Sequence, residues 1–274
     1  MALLGRRLAV SLPDTVLEEK EAPRDKTAKL GLIARACAIY GVDVIEVFRD
    51  PNGRGEEGTI KKILEYLETP QYLRRRLYPL DEALRYAGLL PPLRIPSHRA
   101  KVPMEKVPPG EVREGVVNSD GTVDLGLDVP FELRGHAEAG RRVTTRIVST
   151  RPPAAELISR GAVKEYWGYA VEAKSADEVL SDQRFRLKVA TSRFGAPIIS
   201  ERDRLESAVR GTDSLKLIFG SPSKGLYDLM GKELDRRADF VVNLFPDQKV
   251  ETVRTEEAIF VGLGLISVLS AEKA

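Results

Sequence analysis

Two stretches that alternate strand-like and helix-like patterns, separated by a proline-rich stretch of another character, constrain this chain more than any other feature. Before the break, Leu8 to Leu12 (LAVSL) is a short β-type run. Pro23 to Tyr40 reads as a helix, with Pro23 or Asp25 suited to start it. Val42 to Phe48 (VDVIEVF) has the β-branched density of a buried strand, and Gly55 to Glu68 reads as a second helix stopped by Pro70. Strand, helix, strand, helix argues for a parallel sheet. After Trp167 the pattern returns: Leu187 to Ala190, Leu215 to Phe219 and Phe240 to Leu244 look like parallel strands, and Val253 to Leu269 like a closing helix. Between Leu90 and Trp167 prolines cluster at 91, 92, 96, 103, 108 and 109. Short alternating runs follow there (Gly115 to Asn118, Thr122 to Leu127, Arg142 to Ser149), divided by the turn pairs Asp120-Gly121, Arg134-Gly135 and Ala139-Gly140. Such spacing predicts a small all-β barrel, and a five-stranded OB-fold fits. The expected organisation is an α/β domain made of residues 1–92 and 168–274, interrupted by a β insertion over 93–167.

Several function classes fall away on residue content. Lys and Arg number 43 against 41 Asp and Glu, so nucleic-acid binding would need local basic patches rather than bulk charge. One cysteine cannot form an internal disulfide, and the first residues hold no cleavable apolar segment, so the expectation is a cytoplasmic protein. The longest apolar run, Ala258 to Leu269, falls short of the roughly 20 residues that span a bilayer, so no membrane association is expected. His98, His136 and Cys37 are too few and too scattered for a zinc site or for Ser-His or Cys-His catalysis. There is no G-x-G-x-x-G, and Gly220 to Gly225 (GSPSKG) has P-loop spacing with Leu226 where the phosphate-binding lysine belongs. What remains is chemistry that depends on positioning, and methyl transfer from a sulfonium fits it.

Three segments can carry that chemistry. Lys29 to Phe48 begins with a helix apolar around most of its circumference, in which Arg35 is the one charge between Leu30 and Ile39. A charge there has either a structural ion pair or a task. Leu215 to Leu229 (LKLIFGSPSKGLYDL) runs an apolar strand into Gly220-Ser221-Pro222, and Gly225 opens a helix. Ligands in open parallel sheets bind beyond the carboxyl ends of strands, and glycine lets backbone N–H groups come close; an ordinary strand-to-helix turn is the alternative. Asn243 to Leu269 ends a strand at Leu244, then crowds Glu251, Thr252, Arg254, Thr255 and Glu256 into a loop and first helical turn.

Taken in order, these segments resemble the three motifs of the SPOUT superfamily of RNA methyltransferases: a helix with an arginine followed by a GVD turn, a strand ending in FG with a second glycine, and a terminal strand, proline-containing loop and helix. Tyr72 to Leu77 (YLRRRL), Ala87 to His98 and Val253 to Ala258 (VRTEEA) look like its archaeal and eukaryotic branch with an inserted OB-fold. The resemblance implies an α/β domain with a trefoil knot, working as a homodimer with S-adenosylmethionine as methyl donor. It would set the donor against Thr191 and Ser192, Phe219, Gly220, Ser221 and Pro222, Asn243, Leu244 and Phe245, and Gln248 with Glu251, Thr252, Val253 and Arg254. Arg35 matches an arginine that some members use to activate the attacking RNA group, and Glu251 and Glu256 are candidate general bases. RNA, ribosomal by the family's usual use, would meet Tyr72, Arg74, Arg75 and Arg76, and Arg141, Arg142, Arg146 and Arg151 on the insertion. Two other readings stay open at this point: a non-catalytic RNA-binding or ribosome-assembly protein with the same fold, and a small-molecule α/β enzyme with an unrelated β insertion.

Overall fold

The computed structural model describes residues 6–17, 20–51, 53 and 55–271. In chain order its elements are β1 (Arg7–Pro13), α1 (Pro23–Ile39), β2 (Val44–Arg49), α2 (Glu57–Glu68), α3 (Gln71–Leu77), β3 (Val112–Val117), β4 (Thr122–Asp124), β5 (Phe131–Arg134), β6 (Arg142–Thr150), β7 (Pro153–Ile158), β8 (Ala170–Ser175), α4 (Ala176–Ser181), β9 (Leu187–Pro197), α5 (Ile198–Arg210), β10 (Ser214–Ile218), α6 (Leu226–Met230), α7 (Glu233–Arg237), β11 (Phe240–Asn243) and α8 (Thr255–Ser270). They form two units. Residues 1–65, 82–92 and 169–274 make one, and residues 66–81 and 93–168 the other. The segment 66–81, which the sequence pattern leaves with the α/β part, therefore groups with the insertion, as does Gly168. None of the described helices is long and apolar enough to cross a membrane, and among the described residues no group of His, Cys, Asp and Glu could hold a metal ion.

The first unit is a six-stranded sheet in the order β11-β9-β10-β1-β2-β8, every pairing parallel. Its central strands are buried on both faces, as parallel strands covered by helices must be, and read as near-continuous apolar runs. Two charges break those runs and find each other. Lys216 of β10 and Glu46 of β2, each fully buried, are paired at 2.8 Å. Lys216 also donates to the Val179 carbonyl, and Ser11 of β1 donates to Glu46 at 2.6 Å. Register explains the meeting: Ser11 is opposite Glu46, and Lys216 is opposite Ala9, two residues back on the same face. Lys174, Asp182 and Arg184 extend the network outward. A buried pair satisfied in this way fixes strand order more than it adds stability, and removing one partner alone would strand a charge.

The second unit holds a closed five-stranded barrel in the order β3-β4-β5-β7-β6, antiparallel except for β5 with β7. Val117, Val123, Leu125, Phe131, Val143 and Ile147 fill its interior. On its outside, Glu68 accepts from Arg142 at 2.6 Å and from Arg160 at 2.8 Å, while Glu114 accepts from Arg142, Thr144 and the Trp167 indole. Burial pushes the Glu68 carboxyl up, and Arg142 and Arg160 oppose that. His98 bonds the Glu68 carbonyl through its ring Nε2 at 2.8 Å.

Burial pushes His98 down to about 4, from 6.5. Below about pH 6.5 the unfolded chain takes up a proton that the folded chain refuses until about pH 4, so stability falls as pH drops through that window, by up to about 1.4 kcal/mol per pH unit. Urea unfolding of wild type and His98→Asn at pH 7 and pH 4.5 measures this. The wild type is expected to lose more stability than the variant; equal losses would mean that His98 is not held neutral.

Candidate functional site

In parallel sheets of this kind the strand carboxyl ends and the loops that leave them form the open crevice. Here the ends of β10 and β11 do so, together with the middle of β9 after Ala190 and the first turn of α8. A cavity of about 390 Å³ lies there, lined by Thr191, Phe219, Asn243 and the loops that follow them. That volume lies within the roughly 300–1,000 Å³ usual for small-molecule sites.

Each wall has a local cause. After β10 the chain turns sharply: the Ser221 amide donates to the Lys224 carbonyl at 2.9 Å, and the Lys224 amide to the Ser221 hydroxyl at 3.0 Å. A Cβ on Gly220 would stand 2.9 Å from the Lys224 carbonyl oxygen and 3.3 Å from the Gly225 Cα, both backbone atoms, so the turn closes only over glycine. Lys224 ties the turn to the end of β2 through Asp50, at 2.6 Å. The Gly225 amide donates to Asp228 at 2.9 Å, which starts α6. The third wall is held by the Phe245 amide on the Asn243 side chain and by Gln248, whose side chain donates to the Val250 and Glu251 carbonyls. The Thr255 hydroxyl donates to the Gly220 carbonyl at 3.0 Å, joining the α8 N-terminus to the glycine turn. Gly262 of α8 lies against Phe219 and Leu244, where a Cβ would meet their side chains at 3.2 and 3.4 Å. The glycines that weaken α8 as a helix are thus explained in part by close packing.

Of the fourteen residues expected around the methyl donor, all but Arg254 line this cavity. Arg254 precedes α8 with an exposed side chain, and its amide is bonded by Glu257 at 2.9 Å. Arg193, Phe194, Asp228 and Ala258 also line it and carried no signal in the sequence. Glu251 is on the wall and exposed. Glu256 is off the wall and buried, and its Oε2 has no hydrogen-bond partner among the described residues. Arg35 is also absent from the lining; it is half-buried on α1, with Nη1 3.3 Å from the Pro92 carbonyl oxygen. Gly31, one turn earlier, is where Pro91 comes so near that a Cβ would stand 2.8 Å from its ring.

The residues expected to contact RNA divide sharply. Tyr72 is not free to stack: its hydroxyl donates to the Glu114 carbonyl at 2.8 Å and the Arg113 guanidinium covers its ring. Arg74 is spent on the Leu67 and Thr69 carbonyls and on the Tyr66 ring. Arg142 is held by Glu68 and Glu114. All three thus have structural partners, because burying the Glu68 and Glu114 carboxylates and the end of α2 requires donors nearby. Arg75, Arg141 and Arg151 are exposed, Arg76 makes a 3.4 Å pair with Asp124, and Arg146 pairs with Glu156 at the surface.

The family described as "Putative RNA methyltransferase" matches residues 7–266, almost the whole chain and both units. The chain belongs to this family. As an RNA methyltransferase it also has relatives that align over most of this chain. A protein of Haloarcula marismortui with no assigned function is 33% identical over 95% of this chain and 98% of its own. A 28S rRNA (uridine-N(3))-methyltransferase of Homo sapiens is 30% identical over 94% of this chain and 77% of its own. One of Drosophila melanogaster with the same description is 26% identical over 94% and 61%. The methyltransferase family and the SPOUT resemblance agree.

Proposed function

We propose that this methyltransferase takes its methyl group from S-adenosylmethionine and delivers it to N3 of a uridine in ribosomal RNA, as a homodimer in the cytosol. The observation that carries the donor assignment is the cavity over β9, β10 and β11. Its apolar part, from Phe219, Leu244, Phe245 and Val253, suits a purine, and its turn amides and hydroxyls suit a ribose and an amino-acid tail. Glu251 and Asp228 are the carboxylates on the wall, the right sign beside a cationic sulfonium. The fit is good. Bound there, S-adenosylmethionine supplies an electrophilic methyl carbon. The chain's residues hold the acceptor in line with it, which is where most of the rate of such a reaction originates. The uridine N3 acceptor is taken from the Homo sapiens and Drosophila melanogaster relatives, which align over 94% of this chain.

The trefoil knot belongs to this proposal, with the chain after β11 as its threaded segment; so does an OB-type barrel, for which the order β3-β4-β5-β7-β6 is the support. Support for the homodimer is an apolar strip on two helices that pack together, α1 and α8. Leu32 and Ile39 on the first and Val261 and Val268 on the second stay exposed, and Val268 is 72% accessible. In that dimer Arg35 of one protomer serves the cavity of the other.

Calorimetric titration with S-adenosylmethionine and S-adenosylhomocysteine tests the donor site, with one saturable site per chain expected. Transfer of labelled methyl to an unmodified large-subunit rRNA transcript, read out as 3-methyluridine by mass spectrometry, tests the acceptor. Donor binding with the label on a ribose would overturn the N3 assignment alone; no donor binding by the folded protein would overturn the whole reading.

A further inference from the structure

Within β9 the ladder to β11 breaks in an unusual way. Ala190 faces Val241, but the next residue of β11, Val242, faces Ala196. Residues 191–195 (Thr-Ser-Arg-Phe-Gly) therefore leave the ladder and rejoin it, so the sheet forgoes pairing over that length. Several contacts hold the excursion. Thr191 donates to the Ile218 carbonyl at 3.1 Å, and the Ser192 hydroxyl takes the Phe194 amide at 3.2 Å. Asn243 donates to the Arg193 carbonyl at 3.0 Å. Gly195 passes so close to β11 that a Cβ would stand 2.6 Å from the Val241 carbonyl oxygen. The excursion carries Phe194 and Arg193 to the cavity wall. Phe194 is 68% exposed there, with the Arg193 guanidinium 4.7 Å from its ring centre.

An exposed phenylalanine on an excursion from an inner strand contributes nothing to the core, and loss of ladder bonds costs stability. The combination is explained by a ligand that supplies the missing face. We infer that Phe194 and Arg193 form a stacking platform for the nucleobase that receives the methyl group, extruded from its RNA and brought to the cavity from solvent. This rests on the donor reading above and adds the acceptor subsite to it. Charge selects the base over the donor: an arginine repels a sulfonium but attracts the phosphates that accompany an RNA base. Burial agrees, since Phe219, at 1% exposure, belongs to the deep part of the cavity and Phe194 to its mouth. Aromatic platforms suit any base, so selection of uracil would come from elsewhere on the wall.

Phe194→Ala and Phe194→Trp are the test, each assayed by calorimetry with S-adenosylmethionine and by single-turnover methyl transfer to the large-subunit rRNA transcript. The alanine variant is expected to bind the donor within twofold of wild type and to lose roughly 10- to 100-fold in the RNA-dependent rate constant, with the tryptophan variant near wild type. Equal rates for wild type and Phe194→Ala would overturn the platform and leave the donor reading intact. So would donor affinity falling in step with rate, which would assign Phe194 to the donor. A wild type that binds no donor would instead remove the reading on which the platform rests.

Discussion

Gly220→Val is expected to weaken S-adenosylmethionine binding at least about 100-fold and to end methyl transfer, while the protein stays folded. The Cβ would meet the Lys224 carbonyl oxygen, the Gly225 Cα and the Leu226 amide nitrogen, all backbone atoms of the turn that Gly220 opens. No rotamer relieves such a contact, so the turn itself must open. Overpacking of this kind costs about 1–3 kcal/mol even where the surroundings can shift, and 2.8 kcal/mol is about a factor of 100 in affinity. The same displacement would shift the Gly220 carbonyl that takes the Thr255 hydroxyl, and so the cavity wall at the start of α8. Gly225 supplies the contrast. Its φ is −72° and its Cβ would meet only Asp228 at 3.5 Å, an ordinary contact. Gly225→Ala is therefore expected to change affinity by less than about threefold, within the few tenths of a kcal/mol of a tolerated surface change. Calorimetry on both variants, with circular dichroism to verify folding, decides the matter. Equal effects at the two positions would mean that the turn does not shape the donor site.

Why one of those glycines is required and the other not could not be read from the chain, where they differ only in place. What was legible followed from periodicity. The apolar runs around Val44 and Leu215 mark strands because both of their faces are buried, and the break in composition after Leu90 marks the barrel because its strands are short and turn-bounded. The wall of the cavity was legible because it consists of loops that leave those strands. The contacts that the sequence did not show share a physical origin. Tyr72, Arg74 and Arg142 look like an RNA-facing set, since charge beside an aromatic is the pattern of a nucleic-acid surface, but contacts with partners 28 to 74 residues away turn part of that set inward. Lys216 and Glu46 carry the same lesson. Each looks like a solvent-facing break in an apolar strand, and their pairing across 170 residues exists only once β1 stands between their strands. The return of β9 to its ladder left no trace: the apolar run ends at Ala190, and nothing in Thr-Ser-Arg-Phe-Gly marks the rejoining at Ala196.

Arg35→Ala is expected to bind S-adenosylmethionine like wild type and to lose methyl transfer by about 10²–10³-fold, the scale on which one preorganised donor to a developing anion acts. The side chain is already turned outward, held near the Pro92 carbonyl on the face of α1 that also exposes Leu32 and Ile39, and it is missing from the cavity wall of its own chain. On the proposed dimer reading, an arginine placed so serves that chemistry from a second protomer. Mixing the two inactive variants separates this from action within one chain. In a dimer of one Gly220→Val chain and one Arg35→Ala chain, the intact cavity of the second would face the intact arginine of the first, giving one working site. The other site would be doubly damaged. Coexpression at equal levels makes about half of all dimers mixed, so activity should return to about a quarter of the wild-type level in a twofold-symmetric assembly. If the arginine acted on its own chain's cavity, every site in the mixture would carry one lesion and the mixture would stay as inactive as its parts.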